Sequence, residues 1–64
     1  MKASKAIELL DQGFTLVTPG SNFDRLEKKG EDNFSWCGLK DKAPTLLTKK
    51  EVETLIPGRK WDTL

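Results

Sequence analysis

The chain has 64 residues, and a domain of this size buries only about 60% of the surface that its unfolded chain exposes. We therefore expect one small domain, residues 1–64, with a thin stability margin, for which assembly into a homo-oligomer would bury further apolar surface. Eleven Lys and Arg residues against ten Asp and Glu residues give a formal net charge of +1. This balance argues against a strong attraction to nucleic acid or to an anionic membrane.

Cys37 is the only cysteine, so no intramolecular disulfide can form, and we interpret it as a small buried apolar residue. The chain contains no histidine, the residue that often serves a catalytic thiol as its base. Residues 1–11 lack the apolar run of a signal peptide, and no stretch approaches the roughly 20 apolar residues of a membrane span. The sequence therefore predicts a soluble cytoplasmic protein with no membrane partner.

The first predicted element is a helix over residues 5–12. Ser4 can cap its first turn, and Gly13 stands where a left-handed residue would end it. Phe14 can then fold back on Leu9, as in a Schellman-type ending. Aliphatic residues at helical spacing form one apolar stripe, which consists of Ala3, Ala6, Ile7 and Leu10. This stripe must pack on another element.

The middle of the chain carries strand signals. Residues 14–18 are β-branched and aromatic, and residues 19–22 have strong turn chemistry. Residues 34–37 alternate in polarity, which places Phe34 and Trp36 on one face of a second strand. These segments predict two strands of an antiparallel sheet.

Residues 23–29 support two interpretations. As a helix, the segment would have Asn22 as its cap and Gly30 as its terminator. As a strand, it would pair with residues 34–39 across a polar turn at residues 30–33. We favour the strand, because two strands alone make a marginal sheet and a third makes it viable.

The strongest local signal is that of a short helix late in the chain. Thr48 and Glu51 have the spacing of a capping box, and Leu47 and Val52 stand where a hydrophobic staple would close. The Pro-Gly pair at residues 57–58 would end this helix. The sequence therefore predicts a capped helix between these limits.

Three segments flank this helix. Residues 40–44 are a polar connection, and residues 45–47 can form a brief edge strand. Residues 59–64 are predicted to be an extended tail that is anchored by Trp61. The elements together predict an α+β protein, in which an N-terminal helix packs on a three-stranded antiparallel meander and a short C-terminal helix follows.

The chain has no Gly-rich phosphate loop, zinc-ligand cluster or serine motif. Four carboxylates fall close together, namely Asp24, Glu27, Glu31 and Asp32. We interpret them as part of a solvated hairpin rather than as a site. The sequence therefore predicts a protein that is not an enzyme and that needs neither a cofactor nor a metal.

Nucleic-acid binding is a weaker interpretation. Phe34 and Trp36 lie among lysines, a mixture on which bases could stack, but we favour a role for them in the core. The lysines are Lys28, Lys29, Lys40 and Lys42. Residues 47–55 are similar to the opening helix of an excisionase-type helix-turn-helix, but residues 59–64 are too few for a recognition helix. Residues 18–22 could present N–H groups to an anion, although a plain turn is the simpler interpretation.

Both ends of the chain resemble one kind of small phage protein. Residues 6–13 read Ala-Ile-Glu-Leu-Leu-x-x-Gly, residues 47–51 read Leu-Thr-x-x-Glu, and Asp62 follows Trp61. This order resembles that of the phage Thoeris anti-defence sponges, which sequester a cyclic nucleotide signal. Members commonly place an Arg and a Trp soon after the first helix, where this chain has residues 14–18, so no ligand-binding residue is carried over. The resemblance implies an oligomeric phage accessory protein that works by binding.

Trp and Arg are enriched among the residues that dominate interface energies. The candidate partner-binding residues are therefore Arg25, Lys28, Lys29, Arg59, Lys60 and Trp61. Trp61 is interpreted first as a lid that closes the core. The leading hypothesis is a non-enzymatic phage or mobile-element protein that binds and inhibits a host protein in the host cytoplasm. The alternatives are a sponge for a cyclic nucleotide signal and a weak nucleic-acid-binding protein.

Overall fold

The computed structural model describes residues 1–20, 23–38 and 43–64. Its elements are α1 (Ala3–Asp11), β1 (Leu16–Thr18), β2 (Asp24–Gly30), β3 (Asn33–Cys37), β4 (Thr45–Leu47), α2 (Lys49–Leu55), a 3₁₀ helix (Ile56–Gly58) and β5 (Asp62–Thr63). The α+β class and the two predicted helices are confirmed. Residues 21–22 and 39–42 lie outside the described residues. They include half of the turn predicted at residues 19–22, the Asn22 cap of the alternative helix interpretation, and most of the polar connection with Lys40 and Lys42.

The five strands form one antiparallel sheet in the order β4-β3-β2-β1-β5. The predicted three-stranded meander is only part of this sheet, because β4 and β5 extend its two edges. The segment at residues 23–29 lies almost entirely in β2, which confirms the strand interpretation. β2 and β3 are joined by the turn predicted at residues 30–33, where Gly30 pairs with Asn33.

Both helices pack on one face of the sheet. The strand register aligns Leu16 with Leu26 and Leu26 with Trp36, so alternate residues of three strands form one apolar layer beneath the helices. The buried core consists of Ala6, Ile7, Leu10, Leu16, Leu26, Phe34, Val52, Ile56 and Trp61. Phe34 is buried, which confirms its core interpretation, whereas Trp36 is only partly buried and packs against this core.

Helix α1 ends as predicted but begins earlier. Lys2 occupies the cap position without a side-chain bond, so the prediction that Ser4 caps the helix is wrong. The helix extends back to Ala3 because this residue packs against the core, and the packing outweighs the local cap preference. At the other end, Gly13 has φ +93° and Phe14 donates its N–H to the carbonyl of Leu9 at 3.0 Å. This is the predicted Schellman-type ending.

Helix α2 begins with the predicted capping box. Glu51 donates its N–H to Oγ1 of Thr48 at 3.3 Å, and Thr48 donates its N–H to Oε1 of Glu51 at 3.0 Å. Leu47 packs against the core that contains the buried Val52, in agreement with the predicted staple. A contact that the sequence did not reveal adds to this cap, because the N–H of Lys49 donates to Oδ1 of Asp32 at 2.8 Å. The hairpin between β2 and β3 therefore also fixes the start of α2.

We expect Thr48→Ala to lower the free energy of unfolding by about 1 kcal/mol, because it removes the acceptor for one of the first N–H groups of α2. Thr54→Ala on the same helix is the matched control. Its hydroxyl donates only to the carbonyl of Lys50, which already belongs to the helix, and we expect a change within about 0.5 kcal/mol. Urea denaturation measures both values. An unchanged midpoint for Thr48→Ala would contradict the prediction.

The segment after the 3₁₀ helix returns to the sheet. Trp61 is 5% exposed and belongs to the core, as its interpretation as a lid requires. Asp62 and Thr63 then pair with β1, and the N–H of Leu64 donates to the carbonyl of Thr15 at 2.9 Å. The predicted extended tail is therefore a fifth strand. Neither described helix has the length and the apolar composition that crossing a bilayer requires.

Candidate binding groove

The residues predicted to bind a partner do not form one surface. Arg25 and Lys29 lie on the sheet face opposite the helices. Lys28 points to the helical side, where its Nζ is 2.7 Å from Oδ1 of Asp11. Trp61 lies in the core, beyond the reach of a partner. Fold geometry thus separates cations that are neighbours in sequence, because alternate residues of a strand face opposite ways.

Two more of the predicted residues follow the 3₁₀ helix. Arg59 lies on the helical side of the sheet, near the end where β1 leads into β2, and Lys60 is exposed beside it. Only Arg59 joins a concave surface that the helices help to form. Of the six residues predicted to bind a partner, Arg59 is therefore the one that lines this concave surface.

The opposite sheet face carries a smaller cleft of about 240 Å³. It is lined by Arg25, Glu27, Lys29, Ser35, Cys37 and Pro44. Nζ of Lys29 is 3.2 Å from Oε1 of Glu27, so this cation is already paired. Cys37 is partly buried rather than fully buried, in contrast to the prediction, because it lies on this face and not in the core.

A larger groove of about 610 Å³ lies between α2, the 3₁₀ helix and strands β3 and β4. Its lining residues are Trp36, Leu47, Glu51, Thr54, Leu55, Gly58 and Arg59. Trp36, Leu47 and Leu55 are partly buried and supply apolar walls. The groove is wide open to solvent on one side. We call it the Trp36 groove.

Arg59 is held at the Trp36 groove by two different contacts. Its Nη1 donates to Oδ2 of Asp24, and its guanidinium carbon lies 5.2 Å from the centroid of the Trp36 ring. The second contact has the geometry of a cation–π interaction. The Arg59 side chain nevertheless stays 40% exposed. The groove therefore presents a cation whose position is fixed before any partner arrives.

The carboxylate that holds Arg59 is itself held by β1. Asp24 is 5% exposed, Oγ1 of Thr18 donates to its Oδ2 at 3.3 Å, and its own N–H donates to Oγ1 of Thr18 at 3.0 Å. The prediction that Asp24 belongs to a solvated hairpin is therefore wrong. The alternation of β2 could have shown this, because Asp24 shares the inner face with Leu26. Glu31 and Asp32 are exposed, as predicted.

The Asp24 and Arg59 pair should couple the β1–β2 hairpin to the segment after α2. We expect Arg59→Gln to lower the free energy of unfolding by about 1–2 kcal/mol, because it leaves a buried carboxylate without its cation while part of Arg59 is screened by solvent. Asp24→Asn in the same chain should recover part of this loss, since no buried charge then remains. A double-mutant cycle in urea measures the coupling, and additive effects would contradict it.

The indole N–H of Trp36 is buried, and no atom of the described residues accepts its proton. Indole nitrogen can only donate, so this group needs an acceptor. In residues 1–20, 23–38 and 43–64, the structure brings together no set of three Cys, Asp or Glu side chains able to hold a metal ion. The groove thus offers apolar surface and the N–H donors of Arg59 that Asp24 does not occupy.

No protein-family model, curated protein or solved structure matches the chain. The interpretation of the Trp36 groove therefore depends on its own geometry. Its residues come from four elements and from Arg59, which follows the 3₁₀ helix. The sequence predicted Arg59 as a partner-binding residue, and Trp36 only in the weaker nucleic-acid interpretation. The alternation in β3 gave the face of Trp36, but no local pattern shows that α2 leaves this ring partly uncovered.

Proposed function

We propose that this chain is a non-enzymatic binding protein that docks a segment of another protein in the Trp36 groove. In this proposal it is a phage or mobile-element protein that inhibits a host protein in the host cytoplasm. The observation that carries the proposal is an open apolar groove in which Arg59 is already fixed over Trp36. Trp and Arg are the side chains most often found at the energetic centres of protein interfaces.

The shape of the groove favours a protein segment over a small molecule. Small-molecule sites usually enclose about 70–90% of their ligand, whereas this groove is largely open to solvent. A segment that belongs to a folded partner can cover the open side with its own surface. The fixed position of Arg59 also reduces the conformational entropy that binding would otherwise remove.

A substitution at the rim of the groove tests this proposal. Thr54 lines the groove and is exposed, so Thr54→Arg should fill the site without disturbing the core. Ser4→Arg makes the same change of charge and a similar change of size on the exposed surface of α1. Both variants should melt close to the wild type. Immobilised wild type and Ser4→Arg should retain the same protein from a bacterial lysate.

For Thr54→Arg we expect the affinity for the retained protein to fall about 30-fold, which corresponds to the loss of about 2 kcal/mol at an interface centre. Unchanged retention by Thr54→Arg would place the interface elsewhere and refute the proposal. Sedimentation of the purified chain adds a second test. If the wild type dimerises and Thr54→Arg does not, the occupant of the groove is a second copy rather than a host protein.

A cyclic nucleotide signal is the second candidate ligand. The groove volume of about 610 Å³ lies in the usual range for small ligands, and the exposed part of Arg59 could bind a phosphate. Calorimetry with cyclic dinucleotides and cyclic ADP-ribose isomers distinguishes the two functions. Saturable heat that Thr54→Arg abolishes would favour the sponge, whereas absence of heat would leave the protein partner as the better proposal.

A further inference from the structure

The polar groups beside Trp36 that can still form hydrogen bonds are donors. The Arg59 guanidinium has five N–H donors, and Asp24 accepts from its Nη1. The indole N–H of Trp36 has no acceptor among the described residues but is closed off from solvent, so a ligand in the groove meets the donors of Arg59, whose side chain is 40% exposed. The carboxylate of Asp24 is buried and is already occupied by Thr18 and Arg59. A ligand that completes this end of the groove must therefore bring an acceptor.

Apolar surface lies next to these donors. Leu47 and Leu55 line the same groove, and both are only partly buried. Covering them with an aliphatic side chain would remove apolar area from water. The complementary ligand therefore combines an acceptor group with an aliphatic group.

The charges at the groove favour a carboxylate over a neutral carbonyl or a phosphate as the acceptor. A carboxylate can accept from a fixed guanidinium in a charge-assisted bond, which is stronger than a bond to a neutral carbonyl. A phosphate would bring a larger negative charge into a groove that is also lined by the carboxylate of Glu51. Glu51 keeps one oxygen engaged with Thr48, and its charge disfavours a dianion.

We infer that the Trp36 groove recognises a partner segment in which an aliphatic side chain stands next to a carboxylate. This inference rests on the proposed function and specifies the chemistry of the partner. The aliphatic group lies against Leu47 and Leu55, and the carboxylate accepts from the exposed part of Arg59. The partner is thus an acidic and aliphatic segment, not a basic one.

Two small probes that differ in one group test the inference on the full chain. N-acetyl-leucine carries the aliphatic side chain and a carboxylate, whereas N-acetyl-leucine amide carries the same side chain without the charge. Each is titrated into ¹⁵N-labelled protein at constant ionic strength, and the Arg59 Nε–H and the two indole N–H resonances are followed. The indole of Trp61 lies in the core and serves as the internal reference.

We expect N-acetyl-leucine to shift the Arg59 and Trp36 resonances with an affinity about tenfold above that of the amide, as one charge-assisted hydrogen bond allows. The Trp61 resonance should stay in place. Equal affinities for the two probes, or no shift with either, would overturn the inference. Inorganic phosphate that binds more tightly than N-acetyl-leucine would also overturn it, since the site would then be a simple anion site.

Two variants at Arg59 distinguish a direct bond between this side chain and the probe from general attraction of the probe by positive charge. The double variant Asp24→Asn with Arg59→Gln removes both members of the buried pair and leaves no charge unpaired. If it melts as a folded protein, it should bind the two probes equally. Should it fail to fold, Arg59→Lys replaces it, because this variant keeps the charge and loses most of the guanidinium donors.

Lys60→Gln is the matched control, since it removes the charge of the exposed neighbour of Arg59. This variant should keep the tenfold preference for the carboxylate probe. If Lys60→Gln abolishes that preference, the role of Arg59 is refuted. The probes need no partner protein, so this result is independent of the lysate experiment. A carboxylate preference without a retained protein would refute only the proposed function, and a retained protein without that preference would refute only the inference.

Discussion

Trp61→Ala should lower the free energy of unfolding by about 3–5 kcal/mol and leave a large fraction of the chain unfolded at room temperature. Trp61 is 5% exposed and belongs to a core cluster that also contains residues of both helices and of three strands. A domain this small has few other contacts to make up the loss. Circular dichroism during heating measures the effect, and a native-like melt would show that Trp61 does not close the core.

Two further variants isolate the cause of this effect. Lys60→Ala changes the exposed neighbour and should melt within about 0.5 kcal/mol of the wild type. Trp61→Phe keeps an aromatic ring and removes an indole N–H that is buried without an acceptor among the described residues. It should therefore cost much less than Trp61→Ala, because the lost donor made no hydrogen bond. Equal losses for the two Trp61 variants would contradict this account.

Leu10→Ala is expected to cost about 2–5 kcal/mol. Leu10 lies on the buried stripe of α1, in the same cluster as Leu16 and Leu26 of the sheet. Its removal would leave a cavity at the boundary between the helix and the sheet, where rigid strands limit repacking.

Leu46→Ala is the matched control for Leu10→Ala, because it makes the same substitution at a site that is 64% exposed. We expect it to change the free energy of unfolding by less than about 0.5 kcal/mol. Urea denaturation of both variants gives the comparison. Similar losses at the two positions would mean that α1 contributes little to the core.

Local signals in the sequence predicted the elements whose geometry depends on nearby residues. The capping box of Thr48 and Glu51, the Schellman-type ending at Gly13 and the turn at residues 30–33 each involve residues within a few positions of one another. Backbone hydrogen-bonding demands fix such features with little help from the rest of the fold. The strand at residues 23–29 was favoured for a different reason, namely that the two other predicted strands alone would make a marginal sheet.

The missed features depend on contacts between distant segments. β5 has two residues, too few for a pattern, and it exists because β1 offers a free edge to it. Ser4 is not the N-cap of α1, because packing of Ala3 against the core determines where this helix begins. The groove combines residues of β3 with residues that follow α2, and its key contact joins Arg59 to Asp24. Sequence patterns predict which face of a helix or strand is apolar. They do not predict which part of that face the neighbouring elements leave exposed.

The position of β5 next to β1 has a consequence for folding kinetics. The hairpin of β2 and β3 needs only a short chain closure, whereas pairing of β5 with β1 joins segments from opposite ends of the described chain. Closures of long chains are slow, so we expect the hairpin to belong to the folding nucleus and β5 to dock after the transition state. Substitutions at Thr63 should therefore accelerate unfolding and leave the refolding rate almost unchanged in stopped-flow experiments. Departure of this last strand, rather than rupture of the central hairpin, would then set the lifetime of the native state.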